Sequence, residues 1–217
     1  ALAPLAGAVP LSLAVLALGL AGQANRAAYG ALWAAVFLFG AAGWRGFLRD
    51  ARGPGARAGS RPASGRAALL PPPLILILLA LLALLLVPYA LSPATESDEL
   101  RYHLAAPAAW LREGRIHYLS HQAFSNFPML GEMLFMLAMA LGGAEAAKLV
   151  HLGFLPVNML LVGLLAFRLS SRPRPALPQA AAASFALIPT VAIVAAWGWI
   201  DLFVTAYWLA FVYLAGR

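Results

Sequence analysis

Long apolar runs, separated by short polar segments, constrain the fold of this chain more than any other feature. A helix needs about 20 apolar residues to cross ~30 Å of hydrocarbon. Residues 2–20 and 69–91 reach that length. Only 11% of the residues are charged, so the chain has too few polar groups to cover a water-facing surface. Since the runs lack period-two alternation, they favour helices over a barrel. The sequence therefore predicts an all-α, polytopic transmembrane helix bundle.

We predict about six spans in three sections of chain. Residues 1–44 form an N-terminal transmembrane hairpin, residues 45–68 a basic cytoplasmic loop, and residues 69–217 the main transmembrane module. The spans that follow the first are residues 27–44, 69–91, 146–167, 179–197 and 202–216. A long polar loop, residues 92–127, interrupts the main module. This loop is the one chemically rich segment of the chain.

The basic residues set the expected orientation. Arginines cluster in the loop 45–68 and recur at Arg168, Arg172, Arg174 and Arg217. Cytoplasmic loops carry an excess of such residues, so the loop 92–127 and Asp201 are expected on the outer side. A high isoelectric point can also indicate nucleic-acid binding. We expect no nucleic-acid partner, because the arginines lie in short loops between apolar runs.

The segment 128–142 does not fit a simple span. Fifteen helical residues reach only ~22 Å, and this stretch also carries Glu132. The orientation set by the arginines is consistent only if the segment does not cross fully. We therefore predict a re-entrant or interfacial helix, with a tilted short span as the alternative.

The loop 92–127 contains the strongest candidates for chemistry. Ser97 is a suitable helix N-cap, and acidic residues follow it in the first turn. Apolar residues then recur at spacings of three to four, which predicts an amphipathic interfacial helix over residues 98–113, interrupted by Pro107. The polar side chains expected together on its first two turns are Asp98, Glu99, Tyr102 and His103. Such a cluster can act as a base or bind a cation, although a capped, solvated helix start is the plainer alternative.

Other candidates lie outside that helix. Glu132 falls in an apolar helix, where a carboxylate is costly; Arg101, Arg112 or Arg115 could pair with it. Asp201 either begins the last span as an N-cap or completes a site with Asp98. Cysteine is absent, which excludes thiolate chemistry, and the histidines match no compact zinc motif. His151 is interpreted as a satisfied core histidine.

The order of these motifs resembles a known superfamily. A span is followed by the outer Asp98-Glu99 pair, by the sequence Trp-Leu-Arg-Glu-Gly-Arg-Ile at 110–116, by Phe-Pro-Met-Leu-Gly-Glu at 127–132, and by Trp-Ile-Asp-Leu at 199–202. Residues 70–217 are in this respect similar to GT-C membrane glycosyltransferases, nearest to glycosyltransferase family 39 and its bacterial relatives. Relatives often carry two prolines where this chain has only Pro128.

The resemblance implies specific roles. Asp98 would be the general base, Glu99 its acidic neighbour, and Asp201 an acid that in some members helps hold a cation or the acceptor. Asp98 and Asp201 would then be the ligands of a divalent metal ion, the one cofactor expected. The donor would be a polyprenyl-phosphate-linked sugar, and the acceptor a glycan, lipid or protein hydroxyl. The remaining substrate-binding candidates are Tyr102, His103, Arg101, Arg115 and Glu132. The expected location is the bacterial inner membrane, with the site facing the periplasm and lipid as a partner.

Two other functions remain open from the sequence. A transporter or flippase-like protein would use the intramembrane residues Glu132, Lys148 and His151 as a polar pathway. Such folds usually show inverted repeats, which are not evident here. In a non-catalytic membrane assembly subunit, the Asp98-Glu99 pair would be incidental.

Overall fold

The structure, a computed structural model, describes residues 2–51, 73–171 and 176–216. All regular structure in these ranges is helical, with no strand. The predicted all-helical class is thereby confirmed for the described residues. The α-helices are α1 (Leu2–Leu20), α2 (Arg26–Ala51), α3 (Pro73–Ala90), α4 (Ala105–Glu113), α5 (Leu130–Leu169), α6 (Leu177–Ala186), α7 (Pro189–Ala195) and α8 (Asp201–Ala215).

Few of these helices are long enough to be membrane spans on their own. Within the described ranges, α5 is the one helix with the length and apolar composition for a crossing, and α6 with α7 would add a second if they form one bent span. The apolar segments of α1, α2, α3 and α8 are 10–17 residues long. The six predicted spans are therefore matched as apolar helical segments, while the polytopic arrangement stays a prediction.

Helix α5 contains a reversal of the chain. The rings of Phe135 and His151 lie 6.4 Å apart, whereas sixteen residues of continuous helix would separate them by about 24 Å. The break falls at Gly142 and Gly143, and Gly143 has φ +81° and ψ −173°, a conformation essentially restricted to glycine. Residues 130–141 thus fold back along residues 144–169. The segment 128–142 is therefore a short helix from Leu130 that ends at the break, and its predicted re-entrant or interfacial position in a membrane stays a prediction.

Two predicted segments differ from the structure at their boundaries. The span 179–197 is broken between α6 and α7, which meet at 68°. Pro189 explains the break, because Ile188 before it is extended (φ −63°, ψ 119°). Helix α2 continues to Ala51, so the first part of the segment 45–68 is helical rather than loop. Residues 52–68, and the basic residues Arg172, Arg174 and Arg217, lie outside the described residues.

The amphipathic helix predicted over residues 98–113 is split in two. Glu99–His103 form a π-helical turn, and α4 begins only at Ala105. Pro107 supplies the reason: it has no N–H to donate, and its ring would clash with the carbonyl of residue 103 in a continuous α-helix. Ser97 makes no capping bond to a backbone amide; its hydroxyl lies 3.3 Å from a carboxylate oxygen of Asp98.

The loop 92–127 closes one end of the bundle, named here the loop end. Backbone N–H groups of Ile116 and Ala24 donate to the carbonyls of Gly19 and Gly114, at 2.9 and 3.0 Å, which joins the loop to the α1–α2 turn. At the far end, the Arg168 guanidinium donates to the carbonyls of Tyr213 and Gly216. Asp201 and Arg168 therefore lie at opposite ends of α8, as the predicted orientation requires.

Candidate functional site

An acidic cavity of about 300 Å³ lies at the loop end. Its three carboxylates come from separate parts of the chain: Asp98 from the π-helical turn's start, Glu132 from the first turn of α5, and Asp201 from the start of α8. Its aromatic rings and imidazole are Tyr102, His103, Phe124, Phe127 and Trp199. The structure thus brings Asp98 and Asp201 together, as the sequence predicted.

A glycine allows Glu132 to reach the cavity beside Asp201. A Cβ atom on Gly131 would lie 2.9 Å from a methyl carbon of Ile200. Since real Cβ atoms do not approach so closely, only glycine permits this contact between α5 and the residue before α8. The close approach therefore places the neighbouring carboxylates of Glu132 and Asp201 in one cavity.

Asp98 makes only weak hydrogen bonds with its neighbours in the chain. Its oxygens accept from the hydroxyls of Tyr102 at 3.4 Å and Ser97 at 3.3 Å, both long bonds. Among the described residues it has no ion-pair partner. Burial, and then the charge of Asp98, raises the pKa of Tyr102, so this phenol stays protonated and donates. Asp98 consequently keeps lone pairs for a ligand.

Glu99, predicted as a second catalytic acid, faces away from the cavity. Its side chain is fully buried. One carboxylate oxygen accepts from the backbone N–H groups of Thr95 and Glu96, at 3.0 and 3.1 Å, and the other accepts from that of Gly198. Consecutive helical side chains point in different directions, so Asp98 can line the cavity while its neighbour Glu99 is buried against backbone N–H groups. Glu99 therefore ties the segment that carries Asp98 to the one that carries Asp201.

Two side chains of α5 also hydrogen-bond to the backbone around the start of α8. His151 Nε2 accepts the Leu202 N–H at 3.1 Å, so the proton is on Nδ1, which donates to the Trp197 carbonyl at 2.8 Å. Asn158 donates to the Leu202 carbonyl at 2.8 Å. The interpretation of His151 as a satisfied buried histidine agrees with this geometry, and the arrangement fixes the start of the helix that carries Asp201.

Lys148 has a comparable structural position. Its ammonium group is buried and donates to the carbonyls of Tyr89 and Ser92, at 3.2 and 3.0 Å. These carbonyls belong to the C-terminal end of α3, where a cation is favourable. Lys148 thereby anchors the start of the loop 92–127, a role that its position in an apolar run did not reveal.

Glu132 pairs with a histidine rather than with an arginine. Its Oε1 lies 2.7 Å from His103 Nδ1, and both side chains are buried. Its other oxygen, Oε2, is buried without a protein partner. The predicted partners Arg101, Arg112 and Arg115 are exposed and do not line the cavity. His103 and Tyr102 do line it, as predicted, whereas Arg101 and Arg115 do not.

The divalent metal expected at Asp98 and Asp201 stays a prediction. Over residues 2–51, 73–171 and 176–216, no three acidic, histidine or cysteine side chains are grouped closely enough to hold an ion. The two carboxylates share the cavity.

Some lining residues had no clear signal in the sequence. Trp199, the first residue of the motif at 199–202, also lines the cavity. Phe124 and Phe127 come from the last residues of the loop 92–127 and pack edge to face, 5.7 Å apart. Phe127 belongs to the motif at 127–132, so only its position in that motif could have indicated it.

Comparison with protein-family models, curated proteins and solved structures finds no significant match. The likeness to GT-C enzymes accordingly rests on the residues quoted above.

Proposed function

We propose that this protein is a membrane glycosyltransferase that moves a sugar from a polyprenyl-phosphate donor to an acceptor hydroxyl. One observation carries the proposal: Asp98 and Asp201, held by separate elements, line one cavity with aromatic rings. In this proposal the bundle is polytopic in a bacterial inner membrane, and the loop end faces the periplasm. The acceptor is a glycan, a lipid or a protein hydroxyl.

The carboxylates would divide the work of the transfer. The acceptor oxygen attacks the anomeric carbon and forms the new glycosidic bond. The bond from that carbon to the phosphate oxygen breaks, and the phosphate leaves with the electron pair. Asp98 takes the acceptor proton, which suits a carboxylate with free lone pairs at the cavity surface. Asp201 is exposed at the start of α8 and orients the acceptor.

A lipid-linked donor has a matching surface beside the cavity. An apolar groove of about 480 Å³ is lined by Val9, Leu130, Phe203, Tyr207 and Trp208, among others. The groove and the acidic cavity are lined by neighbouring residues of the chain, Leu130 after Met129 at the start of α5 and Phe203 after Asp201 in α8, and the proposal places the donor across both. An isoprenoid chain in the groove would leave its sugar at the carboxylates.

The structure gives the transporter alternative less support. A polar pathway would need Lys148 and His151 to be free for a passing ion. Instead Lys148 holds two carbonyls, and both ring nitrogens of His151 are occupied by backbone groups. A purely structural subunit would leave the buried Glu132 Oε2, which has no partner among the described residues, without a use.

Sugar transfer from a defined donor tests the proposal. The purified protein in vesicles is given a radiolabelled polyprenyl-phosphate hexose and a membrane extract as acceptor source. We expect label to leave the donor, and Asp201→Asn to slow this release by about 10- to 100-fold because acceptor orientation is lost. Glu145→Gln, which removes a carboxylate outside the cavity, serves as the control and should match the wild type. Donor that stays intact under these conditions would refute the proposal.

A further inference from the structure

We infer that the acidic cavity selects a transferred sugar that carries hydroxyl groups and no negative charge, with Glu132 and Trp199 as the residues that bind those hydroxyls. This inference rests on the proposed function and specifies its donor. The cavity, of about 300 Å³, lies at the low end of the range for small-molecule sites and suits a single sugar ring.

Charge supplies the first argument. Asp98, Glu132 and Asp201 line the cavity, and neither lysine nor arginine is among its described lining residues. His103 is the one basic group among these lining residues, and its Nδ1 lies 2.7 Å from Glu132 Oε1. The carboxylates of the lining therefore outnumber its basic groups by three to one. A carboxylate on the part of the ring that enters the cavity would be repelled there, whereas hydroxyl or amino groups would not.

Two unpaired polar atoms supply the second argument. Glu132 is 2% exposed, and its Oε2 has no protein partner, nor does Nε1 of Trp199. Buried polar groups are nearly always hydrogen-bonded, and both of these residues line the cavity, so a ligand there would supply the missing partners. Oε2 accepts and Nε1 donates. Because a sugar hydroxyl does both, adjacent hydroxyls of one ring could satisfy the two atoms.

The contact between His103 and Glu132 also fixes the direction of the Glu132 carboxylate. With Oε1 held by His103, the Glu132 carboxylate cannot rotate freely, so Oε2 stays directed away from that bond. The cavity lining is also aromatic: Tyr102 and Phe124 stack at 5.0 Å, and Phe127 packs against Phe124. Carboxylates and aromatic rings in one lining match a sugar ring, whose hydroxyls surround apolar C–H faces.

Binding of two matched sugars tests the inference without requiring turnover. Methyl glucoside and methyl glucuronide share ring and stereochemistry and differ in one carboxylate. Ligand-observed NMR with the purified protein is expected to give at least tenfold weaker binding of the glucuronide. Glu132→Gln should weaken glucoside binding about tenfold and reduce the discrimination several-fold. Trp199→Phe should weaken glucoside binding, while Trp208→Phe, outside the cavity, should not.

The outcomes separate this inference from the proposed function. Equal or tighter binding of the glucuronide, or no binding of either sugar to the wild type, would overturn the inference. Glucoside binding with the expected selectivity, together with no release of sugar from any polyprenyl-phosphate donor, would uphold the cavity's selectivity and reject the transferase. Thermal unfolding of Glu132→Gln identifies a folding defect, in which case Trp199→Phe decides.

Discussion

Asp98→Asn is expected to lower kcat for sugar transfer by about 10²- to 10⁴-fold, the usual contribution of a general base. The amide keeps the shape of the side chain and can still accept from the Tyr102 hydroxyl, so the helix start should remain intact. What it loses is the capacity to take a proton from the acceptor. The measurement is initial-rate transfer from a radiolabelled polyprenyl-phosphate hexose at saturating donor.

The matched control for Asp98 is Glu96→Gln. Glu96 lies two residues away and does not line the cavity, so removal of its charge should leave the rate within about twofold of the wild type. A uniform loss in both variants would indicate a general effect of charge on the loop. Full activity of Asp98→Asn would remove Asp98 from the role of base.

Glu99→Leu is expected to destabilise the fold by about 3 kcal/mol. The substitution keeps an apolar stem of similar size but leaves three backbone N–H groups without their acceptor, at ~1–3 kcal/mol for each buried donor. Relief of the buried carboxylate's desolvation offsets part of that cost. The measurement is the free energy of unfolding, from denaturant titration in detergent micelles. Glu96→Leu, on a half-exposed side chain, should change it by less than ~1 kcal/mol.

The same variant separates positioning from catalysis. If Glu99 holds the segments that carry Asp98 and Asp201, Glu99→Leu should lose stability and activity together, and Glu99→Gln, which keeps one acceptor oxygen, should lose less of both. Asp98→Asn should instead lose activity alone. A Glu99→Leu protein that unfolds like the wild type but transfers no sugar would restore Glu99 to a direct catalytic role.

The sequence carried the local information well and the long-range contacts poorly. Apolar run lengths predicted the helical class, and the shortness of residues 128–142 predicted a separate helix. The reversal itself depends on the backbone at Gly143, which run length does not encode. The motif order placed Asp98 with Asp201. It could not show that Glu99 is buried against backbone N–H groups, or that His103 pairs with Glu132. That pair joins residues 29 positions apart.

The prediction that an arginine pairs with Glu132 was wrong for a related reason. Arg101, Arg112 and Arg115 share the loop with the carboxylates, and charge alone suggested that they converge on Glu132. Histidine took that place because its short, planar side chain can be buried beside α5, whereas the guanidinium groups remain in solvent. Sequence proximity therefore placed these residues near the correct end of the molecule without showing which of them enters the cavity.

Labelling single-cysteine variants from one side of the membrane is the most direct way to measure whether Asp98 and Asp201 face one compartment. The chain has no cysteine, so each of Ser97→Cys, Asp201→Cys and Ser171→Cys introduces a unique thiol. A membrane-impermeant maleimide is applied to sealed vesicles of one orientation. We predict that the thiols at 97 and 201 are labelled from the same side and the thiol at 171 only from the other. Labelling of positions 97 and 201 from opposite sides would contradict a shared acidic site at the membrane surface.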